Sequence, residues 1–147
     1  MKKILLITVF CLSLSCQVFA AGTCVENASD SFNGEALRWK TYTCTADSSD
    51  GTMGNTTITG FKGYYLYTVE TWPGATAPTD DSDYTLSDGD TPSKDLMDSN
   101  GVDGIDQTTK EIHTPNVYYM VKGNLVLAIS NNSVHSAIMY VRVTGVK

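Results

Sequence analysis

The chain has 147 residues, of which 41% are hydrophobic and 18% are charged, a composition typical of a globular domain and unlike that of disordered or fibrous proteins. Ten Lys and Arg residues against sixteen Asp and Glu residues give a formal net charge of −6. Such an acidic chain lacks the basic surface that attracts nucleic acid or an anionic membrane, so neither partner is expected.

The first twenty residues have the pattern of a secretory signal peptide. Lys2 and Lys3 form a short basic region, residues 4–14 are apolar, and residues 18–20 (VFA) offer a cleavage site. The apolar stretch is too short to span a bilayer, which needs about 20 apolar residues. We therefore expect an exported protein, periplasmic or extracellular, with one domain at 21–147 and no integral membrane segment once the signal peptide is removed.

Alternation of apolar and polar residues, the pattern of β-strands, dominates the rest of the chain. Strands are predicted at 36–44, 55–59, 64–72, 82–88, 124–130 and 136–144, with a broken strand at 112–121 that Pro115-Asn116 interrupts. Turns are predicted at 47–51, 73–74, 89–94 and 131–133, the last as a hairpin-type connection between the final two strands. Seven or eight short strands at this spacing predict an all-β fold, an antiparallel β-sandwich of immunoglobulin-like or jelly-roll-like type.

Two of the four cysteines, Cys11 and Cys16, belong to the predicted signal peptide. Cys24 and Cys44 remain as an even pair in an exported chain, which predicts one disulfide bond, with two separate buried thiols as the alternative. Their spacing is too wide for a CxxC redox motif or a zinc site. The disulfide would hold the N-terminus of the domain against the first strand.

No catalytic constellation stands out in the sequence. His113 and His135 have no Cys, His or carboxylate partner at metal-ligand spacing, and no Gly-x-Ser-x-Gly motif accompanies them. Nine Asp residues between Asp80 and Asp106 could form many carboxylate pairs, but this abundance gives no specific signal for a hydrolase. We therefore expect a protein that is not an enzyme.

Residues 98–106 (DSNGVDGID) resemble a calcium loop at first sight. Asp98, Asn100, Asp103 and Asp106 are the candidate metal ligands, because calcium prefers carboxylate and amide oxygens. In an EF-hand-like loop that starts at Asp98, the fifth position is Val102, which has no side-chain oxygen. Asn100-Gly101 favours a type I′ hairpin turn instead. A site in which Asp98, Asp103 and Asp106 meet Asp80 or Asp88 in space is the alternative that spacing cannot test.

The aromatic residues suggest a second kind of site. Trp72, Tyr64 and Tyr118 are candidates for contact with a glycan or a protein partner, since exposed aromatic rings stack on the apolar faces of sugars. More often such residues form the core and cross-strand pairs of a β-sheet. The sequence is compatible with both interpretations, surface contact and core packing.

Residues 71–88 (TWPGATAPTDDSDYTLSD), 100–103 (NGVD) and 121–131 (VKGNLVLAISN) are a distinctive set. Together they resemble a group of small all-β proteins encoded among the structural genes of tailed phages, with the PGATAPTD loop as the most specific part. The resemblance spans residues 37–143 and implies a virion-structural role without catalytic residues. The export signal, the predicted disulfide and the longer turn at 92–97 depart from that group.

These observations favour an exported, non-enzymatic structural or interaction module of phage-derived type, whose partner is another protein or a second copy of the chain. The first alternative is a secreted module that binds surface glycans through exposed aromatic residues. The second is a calcium-dependent, adhesin-like domain. No cofactor is expected apart from calcium under this second alternative.

Overall fold

The computed structural model describes residues 21–147, except for the side chains of residues 91–93. The predicted signal peptide lies outside these residues. The described part of the chain contains one 3₁₀ turn, Ala28–Asp30, and ten strands. The strands are β1 (Thr23–Glu26), β2 (Phe32–Asn33), β3 (Leu37–Thr45), β4 (Thr56–Ile58), β5 (Tyr65–Pro73), β6 (Asp83–Asp88), β7 (Thr91–Asp95), β8 (Glu111–His113), β9 (Leu125–Ser130) and β10 (Ile138–Val146).

The strands form two antiparallel sheets, which confirms the predicted all-β sandwich. The six-stranded sheet has the order β1-β3-β10-β5-β8, with β2 also paired to β3, and the four-stranded sheet has the order β4-β9-β6-β7. The long strand β10 lies in the middle of the larger sheet, where it pairs with β3 on one side and β5 on the other. The short strands β1, β2 and β8 form the edges of that sheet.

The core fills the space between the two sheets. Alternate residues of β6, β9 and β10 point inward, as the pleat of a strand requires. In β9 these residues are Leu125, Leu127 and Ile129, and β10 contributes Met139 and Val141, all of them buried. The alternation that predicted these strands therefore also identified their inward faces.

Two predicted turns differ from the structure. Residues 91–94, predicted to lie within a turn, belong to strand β7, which pairs with β6. Residues 131–133 were expected to form a hairpin, but β9 and β10 belong to different sheets, so this segment crosses between sheets. Asn132 fixes the crossing, because its side-chain amide donates to the Gly51 carbonyl at 2.7 Å and its oxygen accepts from the Thr79 N–H at 2.9 Å. These partners are distant in sequence, and local hairpin rules do not detect them.

The predicted disulfide is present between Cys24 and Cys44, which are direct cross-strand partners in β1 and β3. It joins the edge strand to its neighbour within one sheet, and this confirms that the bond holds the N-terminus of the domain. Neither β1 nor β2 was predicted as a strand, because residues 22–35 show no clear alternation. Among residues 21–147, no helix has the length and apolar character that crossing a lipid bilayer would require.

Candidate functional site

Residues 98–106, which we call the Val102 loop, wrap around the ring of Tyr84. The Gly101 carbonyl accepts a hydrogen bond from the Tyr84 N–H at 2.8 Å. A Cβ at Gly101 would collide with the Tyr84 carbonyl oxygen, and one at Gly104 would lie 2.7 Å from the Tyr84 ring. The two glycines are therefore required by close approach of the loop to Tyr84, which is buried.

The predicted type I′ turn at Asn100-Gly101 is wrong. Positive φ angles occur at Asp98, Ser99 and Asp103, and neither Asn100 nor Gly101 adopts one. The Val102 loop connects β7 of the four-stranded sheet to β8 of the six-stranded sheet, so it is a crossover and no hairpin forms. The hairpin rule failed because the strands on either side of the loop pair with other strands.

Each of the four candidate metal ligands takes part in hydrogen bonds within the protein, Asp103 through its backbone N–H. Asn100 donates to the Thr114 carbonyl at 2.8 Å, and the Asp98 carboxylate accepts from the Asn116 amide at 3.3 Å. The Asp103 N–H donates to the Asp83 carboxylate at 2.8 Å. Within residues 21–147 no group of three or more His, Cys, Asp or Glu side chains has the geometry to hold a metal ion.

Asp106 has a structural role that is visible in its ionisation. Its carboxylate accepts hydrogen bonds from the backbone and hydroxyl of Thr108 and from the backbone of Thr109. These bonds, with the Thr108 backbone contributing most, lower the pKa of Asp106 to about 2. The carboxylate therefore caps the turn that leads to β8.

Part of the acidic cluster does converge in space. The pKa of Asp81 is raised chiefly by the neighbouring charge of Asp80, then by burial, and then by Asp103 and Asp106. The Val102 loop thus brings Asp103 and Asp106 to Asp80 and Asp81, a proximity that the sequence left as an alternative. Like charges that gather in this way repel one another.

Asp88 lies apart from this cluster and is fully buried. Its carboxylate accepts hydrogen bonds from the N–H groups of Asp90 at 3.1 Å, Lys122 at 2.7 Å and Gly123 at 3.0 Å. It joins the end of β6 to the segment that precedes β9, so its role is structural.

The three candidate contact residues occupy different environments. Tyr64 is only 3% exposed and its hydroxyl donates to the Gly34 carbonyl, so its ring offers no platform for a sugar. Trp72 lies on the outer face of the larger sheet, where its ring stacks on Tyr140 at 5.4 Å. The side chains of Lys110 and Arg142 also lie over the Trp72 ring, at 5.0 and 5.4 Å. Tyr118 alone of the three is widely exposed, at 64%.

Tyr118 belongs to an exposed surface that the sequence analysis missed. We call it the apolar strip, and its residues share exposure at the β5–β8 edge of the six-stranded sheet. Tyr65 and Met120 are cross-strand bridge partners, and Ile112 is paired with Glu70 further along β5, so the strip runs along this edge of the sheet. The strip consists of Tyr65, Tyr67, Ile112, Tyr118 and Met120, half of the ten exposed large hydrophobic residues described.

Exposed lysines lie near both ends of this strip. Lys62 and Lys122 flank the backbone pair in which the Gly63 N–H donates to the Val121 carbonyl, next to Met120. Lys94 and Lys122 lie over the ring of Tyr119, at 4.9 and 6.0 Å. Lys110, two residues before Ile112, pairs with Glu70 at 2.6 Å. The Met120 end of the strip therefore has a basic rim of Lys62, Lys94 and Lys122, whereas Glu70 and Glu111 lie beside Ile112 at the other end.

The signal for this surface was present but ambiguous in the sequence. Tyr65, Tyr67 and Tyr118 lie in predicted strands, and alternation shows that they share a face without showing which face is covered. Only the strand order decides this, because β8 is an edge strand and, among residues 21–147, no third layer of strands or helices covers the outer face. Comparisons with protein-family models, with curated proteins and with solved structures gave no match for the chain.

Proposed function

We propose that the protein is an exported, non-enzymatic interaction module that binds a protein partner through the apolar strip. The observation that carries this proposal is the clustering of exposed aromatic and aliphatic side chains at one sheet edge. Contiguous exposed apolar surface on a soluble domain is typical of protein interaction sites. Tyrosine is enriched among the residues that dominate binding energy, because its large ring loses little entropy when it is buried.

The basic rim adds specificity to this surface. Lys62, Lys94 and Lys122 are exposed, and exposed charges around an apolar centre select a partner with complementary charge. A partner that combines an apolar centre with acidic surroundings fits best. The resemblance of the PGATAPTD loop to phage structural proteins supports an assembly role of the same kind, with the predicted signal peptide directing this chain to export.

A glycan-binding role has less support. Tyr64 is buried, and the Trp72 ring already contacts Tyr140, Lys110 and Arg142. A sugar that stacks on Trp72 would have to displace these neighbours. Of the three predicted contact residues, only Tyr118 is widely exposed.

The proposal is tested by capture from the exported fraction of the source cells. Immobilised protein is compared with a strip variant, Tyr118→Ser with Met120→Ser, and with a control variant, Val25→Ser. Val25 is exposed on β1, at the opposite edge of the same sheet. We expect one protein to be retained by the parent and the control and lost from the strip variant. Equal capture by all three, or sustained hydrolysis of a polymer or ester, would contradict the proposal.

A further inference from the structure

The Val102 loop has the chemical properties that a partner of the apolar strip needs. Val102 is 57% exposed at the apex of the loop, between the two glycines that are buried against Tyr84. Asp98 and Asp103 are exposed on either side of it. An exposed apolar side chain with acidic flanks is complementary to an apolar strip with a basic rim.

The loop and the strip lie next to each other on one molecule. Asn100 donates to the Thr114 carbonyl at 2.8 Å, and Asp98 accepts from Asn116 at 3.3 Å, so the loop is hydrogen-bonded to the segment that leads into Tyr118. A groove of about 120 Å³ lies along this junction, and Lys94, Asp98, Val117 and Tyr119 are among its lining residues. The two complementary surfaces therefore form one continuous face.

We propose that the partner of the apolar strip is the Val102 loop of a second copy of this chain. The inference rests on the proposed function and names the occupant of its binding surface. Because each copy carries loop and strip side by side, a twofold axis places each loop on the strip of the other copy. Such an arrangement is isologous and closes as a dimer. Two loop–strip contacts form together in the dimer, and the loss of either surface weakens both.

Charge complementarity favours pairing of the loop with the strip over pairing of two loops or two strips. In the dimer, Asp98 and Asp103 of one copy approach the lysines around the other copy's strip. A strip-on-strip contact would instead bring Lys94 and Lys122 of the two copies together, and a loop-on-loop contact would oppose four aspartates. A contact of the loop with the Met120 end of the other copy's strip avoids this like-charge opposition, which costs binding energy.

The test is sedimentation of the purified, disulfide-bonded protein over a range of concentrations. Three single variants are compared: Val102→Asp in the loop, Met120→Asp in the strip, and Val25→Asp as control. Val25 is 66% exposed on β1, at the opposite edge of the same sheet. We expect the parent and Val25→Asp to form dimers as concentration rises, and Val102→Asp and Met120→Asp to remain monomeric. An equimolar mixture of the last two should recover part of the dimer, because one intact loop meets one intact strip.

Other results would overturn the inference. A parent protein that stays monomeric at every concentration excludes the second copy as the occupant, and so does dimerisation of Val102→Asp to the same extent as the parent. The parent protein could be monomeric and still capture a protein that the strip variant Tyr118→Ser with Met120→Ser does not retain. In that case the proposed function stands and the self-association inference is wrong. Binding to phosphatidylglycerol vesicles that is lost in Met120→Asp but kept in Val102→Asp would assign the strip to a membrane surface.

Discussion

The Thr71 hydroxyl, buried in the six-stranded sheet, donates a hydrogen bond of 2.7 Å to the Gly104 carbonyl of the Val102 loop. On its other side the same loop accepts the Tyr84 N–H of the four-stranded sheet at Gly101. The loop is thus joined to both layers of the sandwich. These two hydrogen bonds fix the position of Val102 on the surface.

Replacing Thr71 with Val should destabilise the fold, because the buried Gly104 carbonyl loses its donor. We expect a loss of about 1–3 kcal/mol in the free energy of unfolding, which is the cost of an unsatisfied buried group. Thr68→Val on the same strand serves as control, since Thr68 lies on the half-exposed outer face. Urea denaturation of both variants measures the difference, and equal midpoints would contradict the role of the bond.

Gly101→Ala tests the packing of the Val102 loop on Tyr84. The added methyl group would meet the Tyr84 carbonyl oxygen, and we expect a loss of about 3 kcal/mol from overpacking. Gly63→Ala is the contrasting variant, because Gly63 has a φ of 81° and open space around it. Its cost is conformational only, about 1 kcal/mol. Thermal unfolding of the two proteins should rank them in this order.

Removing the disulfide should loosen the edge of the larger sheet. The double variant Cys24→Ala with Cys44→Ala removes the disulfide between two residues that are 20 positions apart in the sequence. A loss of about 3 kcal/mol in unfolding free energy is expected from chain entropy. Hydrogen exchange should show faster exchange in β1 than in β10, since β1 is an edge strand. Uniform protection of both strands in the variant would argue against this role.

Asp88 is expected to be the most sensitive of the acidic residues. Asp88→Ala leaves three part-buried N–H groups without this acceptor, at a cost of about 1–3 kcal/mol. Asp88→Asn keeps one acceptor oxygen for Asp90 and Gly123 and should cost less. Chemical denaturation at neutral pH compares the two variants with Asp90→Asn, an exposed neighbour expected to have little effect.

Protonation of Asp106 and protonation of Asp81 should change the stability of the fold in opposite directions. The pKa of Asp106 is lowered from 3.8 to about 2, so its contribution is present above about pH 4 and is lost as pH falls toward 2. The pKa of Asp81 is raised by Asp80, burial, Asp103 and Asp106, so its charged form destabilises the fold and protonation relieves this. Asp81→Asn should therefore raise the melting temperature at neutral pH.

Melting curves across the acid range provide the measurement. Asp106→Asn should flatten the decline between pH 4 and pH 2, because its titrating group is gone while the turn can still form. A lower melting temperature for Asp81→Asn at neutral pH would contradict the repulsion among these four carboxylates. The same samples titrated with calcium test whether the convergence of these aspartates binds a cation.

The sequence by itself determined the fold class, the disulfide and most of the strands of this protein. Alternation in residues 124–130 and 136–144 reports a property of the chain alone, because side chains of successive strand residues point to opposite faces. Cys24 and Cys44 were the one available pair in the predicted mature chain. These inferences needed no knowledge of which strands are neighbours.

The tertiary structure alone decided where the surfaces and turns lie. The hairpin rule failed at Asn100-Gly101 and at residues 131–133 because each segment crosses between sheets, and crossing depends on partners far away in sequence. The exposure of Tyr65, Ile112 and Met120 follows from the edge position of β8. Long-range strand pairing sets that position, so the surface on which the proposed function depends could be recognised only in the folded chain.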